Sequence, residues 1–389
     1  MKRPIYLDHH ATTPVDPRVL EAMLPWFSES FGNPASRNHA WGWEARDAVD
    51  KARRQTAALI GANPREIVFT SGATESNNLA IKGLGWHARH NRMVTCQTEH
   101  KAVLDPAEWL EEELGFEVER LHVDPDGTIA LDELEEALQQ PSEIVSLMAA
   151  NNEIGTLHPL DEISRICRRH GAHLHVDAAQ AAGRIPLDVK ALDIDLLSIS
   201  GHKLYGPKGV GALYVRAGLR EKMEAQMHGG GHERGLRSGT LNVPGVVGLG
   251  AACEIAAAES DAEAERLSAL RDRLLERLTA ELDGVHVNGL LAPRLPNNLN
   301  VSFEGVDGET LLGKLDGVAV SSGSACTTAD PQPSHVLRAL GLSDKLAQAS
   351  LRFGLGRSTT AEEIEQAADQ VIAAVRRLRA LSAVGSART

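Results

Sequence analysis

Lys203 lies in a glycine-rich turn, residues 200–209, directly after a run of aliphatic residues. An amine at such a position can form an imine with an aldehyde if the protein desolvates it, because a solvated lysine has a pKa near ~10.4 and is mostly protonated. Taken by itself, a lysine in a turn is more often a solvated surface residue. The imine interpretation therefore depends on which other polar residues the fold brings beside it.

Three polar residues that precede Lys203 in the chain could hold an aromatic ring that carries the aldehyde. Asp177 ends a predicted strand, where its carboxylate could pair with a protonated pyridine nitrogen and make the ring an electron sink. Gln180 and Asn152 could hydrogen-bond the phenolate oxygen of such a ring. The alternatives are structural: a strand-end cap for Asp177, a polar helix residue for Gln180 and a turn asparagine for Asn152.

The run 69–78 is typical of a strand, a tight turn and a helix start. Backbone N–H groups around Ala73, together with the Thr74 hydroxyl, would form a cup for an anion such as a phosphate. The Ser200 hydroxyl and the His202 ring could complete this cup. Simple N-capping of the helix is the alternative.

Three more residues could act on a substrate at this rim. His100 follows another predicted strand, and its imidazole could stack on the ring and shuttle protons near neutral pH. Cys326 lies among small, polar and proline residues in 320–335, a composition typical of an exposed loop, which suits a reactive thiolate. Arg352 could bind a carboxylate with its guanidinium, or be an ordinary surface arginine. The other three cysteines fit buried apolar positions.

A histidine- and glycine-rich run, 228–240, raises the question of a metal site. Two histidines and a glutamate lie close together there, but the glycines between them fix no ligand geometry. An anion-binding loop that uses Arg237 and Thr240 is the more economical interpretation. We therefore expect no resident metal.

Composition narrows the class of protein. The 389 residues, 42% of them hydrophobic, suffice for two domains with buried cores. Acidic residues outnumber basic ones by 53 to 40, and the net charge of -13 argues against nucleic acid as a partner. The polar N-terminus and the absence of a run of roughly 20 apolar residues predict no membrane span and a cytoplasmic location. No C-x-x-C pair occurs among the four cysteines, so neither a zinc knuckle nor a disulfide framework is indicated.

The elements that would position these residues form an α/β pattern. Between residues 66 and 215, short β-branched runs alternate with helical patterns, which predicts a mostly parallel sheet whose strand ends converge on one rim. A charged helical pattern at about 262–282, short strands and a final helix at about 361–381 predict a smaller α/β domain. We divide the chain into a segment at the domain boundary, a large domain and a small domain with the cysteine loop: 1–14, 15–258 and 259–389.

Taken together, these motifs resemble the cysteine desulfurases, fold-type I pyridoxal-phosphate enzymes that take sulfur from L-cysteine. The resemblance implies an α/β fold with a mostly parallel seven-stranded sheet and a smaller C-terminal domain. It also implies L-alanine as product, a persulfide on Cys326, and transfer of the sulfur to an acceptor for iron–sulfur cluster assembly and tRNA thiolation. The runs that carry the resemblance span most of the chain: 6–14, 32–36, 175–177, 200–203, 321–326 and 351–353.

The resemblance also implies roles for single residues. Lys203 would hold pyridoxal 5'-phosphate as a Schiff base, His100 would be the acid/base, and Cys326 would receive the sulfur and could transiently bind an iron–sulfur cluster. Arg352 would bind the substrate carboxylate, with Asn33 close to the substrate. The implied cofactor-binding residues are Ala73, Thr74, Asn152, Asp177, Gln180, Ser200, His202, Lys203 and, from the other subunit of a homodimer, Thr240.

The loop around Cys326 looks like that of the family branch that delivers sulfur directly to an iron–sulfur scaffold protein. Two features depart from the family's pattern: the pair His9 and His10 near the start, and a short tail after Leu381. Within the same fold, an aminotransferase or another amino-acid lyase shares Lys203, but neither explains a cysteine in such a loop. A non-catalytic scaffold of a sulfur pathway is the alternative from another class.

Overall fold

The computed structural model of the chain describes residues 3–322 and 333–386. Its elements alternate between strands and helices in the first two thirds of the chain, as the sequence predicts. The strands are β1 (Ile5–Tyr6), β2 (Ile67–Thr70), β3 (Arg92–Cys96), β4 (Glu117–Leu121), β5 (Ile144–Met148), β6 (His173–Asp177), β7 (Leu196–Ser200), β8 (Gly211–Val215), β9 (Val285–Val287), β10 (Asn298–Phe303), β11 (Val318–Ala319) and β12 (Ser350–Gly354). The α-helices are α1 (Pro17–Met23), α2 (Pro25–Ser28), α3 (Ala40–Leu59), α4 (Ala73–Gly85), α5 (Lys101–Leu114), α6 (Leu131–Ala137), α7 (Leu160–His170), α8 (Val243–Glu281), α9 (Gly308–Leu312), α10 (His335–Ala339), α11 (Asp344–Gln348) and α12 (Ala361–Ser386).

Seven strands form the main sheet in the order β2-β8-β7-β6-β5-β3-β4. Within this sheet β8 runs antiparallel to both neighbours, and the other four pairings are parallel. Every residue of β3, β5 and β7 is buried, because helices cover both faces of a parallel sheet and its strands are therefore apolar throughout. The predicted α/β fold with a mostly parallel seven-stranded sheet is confirmed.

The topology of this sheet places the candidate site. Because β3, β5, β6 and β7 are parallel, the residues that follow them meet at one edge of the sheet. Those residues lie in 97–100, 149–152, 177–180 and 200–203. This is the rim at which the sequence predicts that the polar residues converge.

Helix α8 joins two hydrophobic cores. Its first half packs Val246, Leu249 and Cys253 into the core around the main sheet. Its second half contributes Leu267 and Leu274 to a second core. The sequence predicts only the charged second half of α8 as a helix. The predicted boundary between the large and the small domain, after residue 258, lies inside this helix. By length and apolar composition α8 could also cross a membrane, but half of its most apolar stretch is buried in the protein, as in a core helix.

The second core lies under a three-stranded antiparallel sheet of order β12-β10-β9. The N-terminal segment contacts this smaller unit, since β1 pairs with β11 and Leu7 belongs to the second core. It also contacts the main sheet's rim, where the Thr13 N–H donates to the carbonyl of His202 at 3.0 Å. The first residues of the chain therefore bridge the two units directly beside the predicted site.

Candidate active site

A cavity of about 590 Å³ opens at the carboxyl ends of the parallel strands. It brings together residues that are up to 199 positions apart in the chain, from His10 to Gly209. Nine of the residues named from the sequence line it: Ala73, Thr74, His100, Asn152, Asp177, Gln180, Ser200, His202 and Lys203.

Lys203 ends a short 3-10 turn, Gly201–Lys203, that directly follows β7. Its Nζ donates to the carbonyl oxygen of His10 and, at 2.8 Å, to that of Ala11. These acceptors belong to the N-terminal segment and hold the amine at the cavity wall. Lys203 is therefore a positioned amine inside a cavity rather than the solvated lysine of the structural alternative.

Asp177 ends β6 and is 6% exposed. Its Oδ1 accepts from the backbone N–H of Ala179 at 2.9 Å, and its Oδ2 accepts from Nδ2 of Asn77 at 2.7 Å. Sequence analysis did not identify Asn77. The available signal was its position four residues after Ala73, which places both on one face of α4. With both oxygens oriented, Asp177 can present a fixed negative charge to a pyridinium.

A second buried carboxyl, Glu99, lies near Asp177. Its Oε1 accepts from the backbone N–H of Met148 at 2.8 Å. Burial raises the pKa of Glu99 well above its ordinary value, and the charge of Asp177 raises it further. Glu99 therefore holds its proton more tightly than an ordinary carboxyl group does.

The start of α4 forms the predicted anion cup. Its N-cap is Gly72, which has no side chain to accept from the first-turn N–H groups, so capping by a hydroxyl, the alternative interpretation, does not occur. The start of β8 packs closely against this N-cap. A glycine is needed there, because a Cβ on Gly211 would lie 2.6 Å from the Gly72 Cα. The N–H groups and the positive end of the helix dipole therefore face the cavity beside Ser200.

Two further residues line the cup. Nδ1 of His202 forms a hydrogen bond with the Thr12 hydroxyl at 3.1 Å. Burial lowers the pKa of His202 to about 4, and the charges of Lys203 and Lys208 contribute to the decrease. Lys208, which sequence analysis did not assign, also lines the cavity and adds positive charge where an anion would bind.

His100 is the N-cap residue of α5. Its Nδ1 accepts from the backbone N–H of Ala102 at 3.0 Å, so the neutral ring carries its proton on Nε2. The helix start thereby fixes both the orientation and the tautomer of an imidazole that lines the cavity.

Arg352 lies behind the cavity wall and is 1% exposed. Its Nη1 donates to the carbonyl oxygen of Asn152 at 3.1 Å, and its Nη2 pairs with Oδ1 of Asp8 at 3.0 Å. The structure therefore places the guanidinium next to a cavity residue without making it part of the lining. The surface-arginine alternative is excluded.

Two predicted residues lie outside the cavity of this single chain. Asn33 is exposed, and its side chain accepts from the backbone N–H of Ala35 at 2.9 Å. Thr240 is also exposed. The family resemblance implies that Thr240 acts in the site of a second copy of the chain. Cys326 lies outside the described residues.

The described residues on both sides of segment 323–332 attach to the site. Before it, the carbonyl oxygen of Ser321 accepts from the Arg352 N–H at 2.7 Å. After it, the Ser334 hydroxyl donates to Oε2 of Glu153 at 2.5 Å, and Nε2 of His335 donates to the carbonyl of Glu99 at 3.0 Å. The described residues at both ends of segment 323–332 therefore lie close to the cavity.

Glu153 gives a prediction about pH. Burial raises its pKa to about 7, despite the opposing effects of Ser334, Arg352 and His100. A carboxyl that binds its proton more tightly in the folded state gives full stability below its unfolded pKa near 4.5, and that stability is lost as the pH rises to about 7. Glu153→Gln has no charge that burial can destabilise. As the pH rises from about 5 to about 8, its free energy of unfolding should therefore increase relative to that of the native protein, by up to on the order of 3 kcal/mol. Thermal melting curves recorded at each pH measure this difference.

The matched control for this measurement is Glu113→Gln, at an exposed position in α5. We expect the difference between Glu113→Gln and the native protein to stay constant across the same pH range. A Glu153→Gln difference that is equally independent of pH would show that the buried carboxyl is not the titrating group.

The other cysteines, and Glu233 of the histidine-rich run, have structural surroundings in the described part of the chain. Cys96, Cys167 and Cys253 are buried, and burial raises the pKa of each thiol to about 12. Glu233, from the run considered for a metal, instead forms an ion pair with Arg53 at 2.7 Å. Residues 3–322 and 333–386 contain no group of three potential metal ligands.

The residues present fit pyridoxal phosphate. The cavity holds an amine for its aldehyde at Lys203 and a charge-matched carboxylate for its ring nitrogen at Asp177. It also holds a helix N-terminus, with Lys208 nearby, for its phosphate. Gln180 and Asn152 also line the cavity, and their side-chain amides can donate hydrogen bonds of the kind that a phenolate oxygen accepts.

Comparison with known proteins identifies the family. A family model described as Aminotransferase class-V matches residues 5–367. A protein named cysteine desulfurase IscS, from Anaeromyxobacter sp. (strain Fw109-5), is 57% identical over 384 residues, which cover 98% of this chain and 95% of that protein.

Two solved structures extend the comparison to the fold. One, described as a NifS-like protein, has a TM-score of 0.89 and 40% identity, with 96% of this chain and 100% of that chain covered. The other, described as SspA in complex with cysteine, has a TM-score of 0.79 and 39% identity, with coverages of 90% and 98%. The sequence identity extends over nearly the whole chain, including the cavity and both cores. The chain therefore belongs to the class-V aminotransferase family and is, within it, a pyridoxal-phosphate-dependent cysteine desulfurase.

Proposed function

We propose that the sulfur atom of L-cysteine is transferred to Cys326 as a persulfide, that L-alanine is released, and that the sulfur then passes to an acceptor for iron–sulfur cluster assembly. One observation carries the proposal. The cavity unites Lys203 and Asp177, and the described residues that flank segment 323–332 attach beside that same cavity. Chain connectivity therefore supports Cys326 as the acceptor of the sulfur.

The cofactor-binding residues would each bind a different part of the cofactor, according to its charge. Lys203 would hold the cofactor covalently, and Asp177 would keep the ring nitrogen protonated. The start of α4, with Ser200 and His202, would bind the phosphate. When bound, pyridoxal phosphate supplies an electron sink for the negative charge that develops at the substrate α-carbon.

The chain's own groups would move the protons and the sulfur. The Lys203 amine would remove the α-proton of the substrate, and His100, with its Nε2–H, would act as a further acid/base. The Cys326 thiolate would attack the substrate sulfur, so that an S–S bond forms as the C–S bond breaks. The electron pair left at the β-carbon takes up a proton, which completes the alanine side chain.

Arg352 would recognise the substrate carboxylate. A guanidinium binds a carboxylate through two parallel N–H donors, and Arg352 already pairs with one carboxylate, that of Asp8. Its position beside Asn152 supports this role, and Asn33 would lie near the substrate in the assembled enzyme.

We further propose a homodimer that supplies Thr240 to the partner's phosphate site. In support, the N-terminal helices and the turn after them expose a group of large apolar side chains, a surface that soluble monomers seldom leave uncovered. Phe31 and Trp41 in this group stack with ring centroids 5.0 Å apart. The exposed residues are Leu20, Leu24, Phe27, Phe31, Trp41 and Trp43.

The proposed partners are an iron–sulfur scaffold protein and the acceptors that lead to thiolated tRNA, in the cytoplasm. The name of the Anaeromyxobacter relative supports the first of these. The net charge of -13 argues for transfer through a protein acceptor rather than by direct binding to RNA.

The deciding experiment incubates the cofactor-loaded protein with L-cysteine and no added thiol, followed by alkylation and peptide mapping. We expect L-alanine in solution and one trapped persulfide, on the peptide that contains Cys326. Alanine with a persulfide on another cysteine would contradict the role of Cys326. A protein that stays colourless with the cofactor and yields no alanine would favour the non-catalytic scaffold.

A further inference from the structure

His10 lines the cavity and is 1% exposed, yet it has no part in the roles described so far. Its Nδ1 lies 3.0 Å from Oε1 of Gln180, and Nε2 of Gln180 donates to the carbonyl oxygen of the same His10 at 3.0 Å. The two residues are 170 positions apart and form a reciprocal pair.

The carbonyl oxygen of His10 decides the orientation of the Gln180 amide. A carbonyl oxygen can only accept, so the amide must turn its Nε2 towards it, and Oε1 then faces the ring. Because Oε1 also only accepts, Nδ1 of His10 must carry the proton. The reciprocal pair thereby fixes both the amide orientation and the histidine tautomer.

The surroundings of His10 keep its ring neutral. Burial lowers its pKa well below the ordinary value, and the nearby charges of Arg352, Arg184 and Lys203 act in the same direction. A neutral ring with its proton on Nδ1 leaves a lone pair on Nε2, and that nitrogen is buried without a hydrogen-bond partner among the described residues. The ring is also confined by β12, since a Cβ on Gly354 would lie 2.8 Å from His10 Cδ2.

The same carbonyl locates the Gln180 amide with respect to Lys203. The Lys203 Nζ also donates to the carbonyl oxygen of His10, so the amine and the amide meet at one atom. In pyridoxal phosphate the aldehyde and the phenol oxygen are on adjacent ring carbons, so a group beside the lysine amine is also beside the ring oxygen. Only one N–H of Gln180 is used by His10, and the second can donate to that ring oxygen.

We propose that His10 is a positioning residue, which holds the Gln180 amide with its N–H directed at the ring oxygen of the cofactor. This inference rests on the proposed assignment of Gln180 to the cofactor and adds a residue from the N-terminal segment to the site. Without the His10 ring, the main-chain carbonyl of residue 10 remains but the amide loses the N–H that holds its Oε1, so that one contact instead of two fixes it and its second N–H is no longer directed at the ring oxygen.

The test uses the visible absorbance of the cofactor-loaded protein, titrated across neutral and alkaline pH without L-cysteine. A donor to the ring oxygen stabilises its negative charge and so weakens the hold of the neighbouring imine nitrogen on its proton. We therefore expect His10→Leu to raise the midpoint of the spectral change by about half a pH unit to one unit, the size of a single hydrogen bond. Gln180→Leu should raise it equally, and the double variant should show no further increase.

Two more variants separate positioning from packing. His10→Asn retains an N–H near the place of Nδ1 and should restore the native midpoint. His158→Leu removes another buried histidine, 6% exposed and outside the cavity, and should leave the midpoint unchanged even if it lowers stability. An unchanged midpoint in His10→Leu, or shifts that add in the double variant, would overturn the proposal.

A second measurement needs neither cofactor nor substrate. In the ¹⁵N-histidine-labelled protein without cofactor, His10 should give the signals of a neutral ring protonated on Nδ1, and Gln180→Leu should move them towards the Nε2-protonated form. A native His10 protonated on Nε2 would refute the positioning role. Because alanine formation is assayed separately, a protein that shows these signals but makes no alanine would contradict the proposed function and leave the role of His10 intact.

Discussion

Lys203→Ala is expected to abolish the covalent attachment of the cofactor, so that borohydride reduction traps no adduct on the chain. Alanine formation from L-cysteine should fall by at least about 10²- to 10⁴-fold, the usual contribution of a positioned general base, because the variant lacks the amine that removes the α-proton. The fold should survive, since the amine's hydrogen bonds to the carbonyls of His10 and Ala11 lie at the cavity wall and not in either hydrophobic core. The measurements are the visible spectrum, peptide mapping after reduction, and the rate of alanine release.

Lys190→Ala, at an exposed position before β7, is the matched control and should keep the native spectrum and rate. If a reduced adduct were mapped to a lysine other than Lys203, such as Lys208 in the same cavity, the assignment of the Schiff-base lysine would be wrong.

Cys326→Ser is expected to abolish release of alanine from L-cysteine in the absence of added thiol while the visible band of the bound cofactor stays intact. A serine hydroxyl is un-ionised at neutral pH and is a poor acceptor for sulfur, whereas a thiolate is both nucleophilic and able to hold it. We expect a loss of at least about 10³-fold, because no other group in the described residues can replace this step.

The matched control is Cys167→Ala. Cys167 is buried in α7, and burial raises the pKa of its thiol to about 12, so it is protonated and inaccessible at neutral pH. Its removal should leave the rate of alanine release unchanged at a temperature where the variant is folded. Full turnover by Cys326→Ser without added thiol would exclude a persulfide at Cys326.

Much of the site could be predicted because local sequence and sheet topology agree. The run that became β6 ends in Asp177 and the run that became β7 leads into Lys203, and parallel strands place both ends on one edge. The anion cup could likewise be predicted, since a small-residue turn between a strand and a helix exposes the N–H groups of the first helical turn.

Other features depend on partners that are distant in the chain. The spacing of Asn77 from Ala73 places it on the same face of α4, but only the folded chain shows that it orients Asp177, 100 positions away. The reciprocal pair of His10 and Gln180 and the ion pair of Arg352 with Asp8 are equally remote from local signals. The extent of α8 was also missed, because its apolar first half has no charged face to reveal a helical period.

The sequence by itself therefore determined the strands, the strand-end residues and the chemical types needed for pyridoxal phosphate and for a sulfur acceptor. These are local properties, which depend on alternating apolar runs and on the residues that end them. Only the tertiary structure decided which polar atoms face each other, that the Glu99 carboxyl is buried, and which nitrogen of His10 and His100 is protonated. Those outcomes depend on burial and on hydrogen bonds between segments that only folding brings within 3 Å or so of each other.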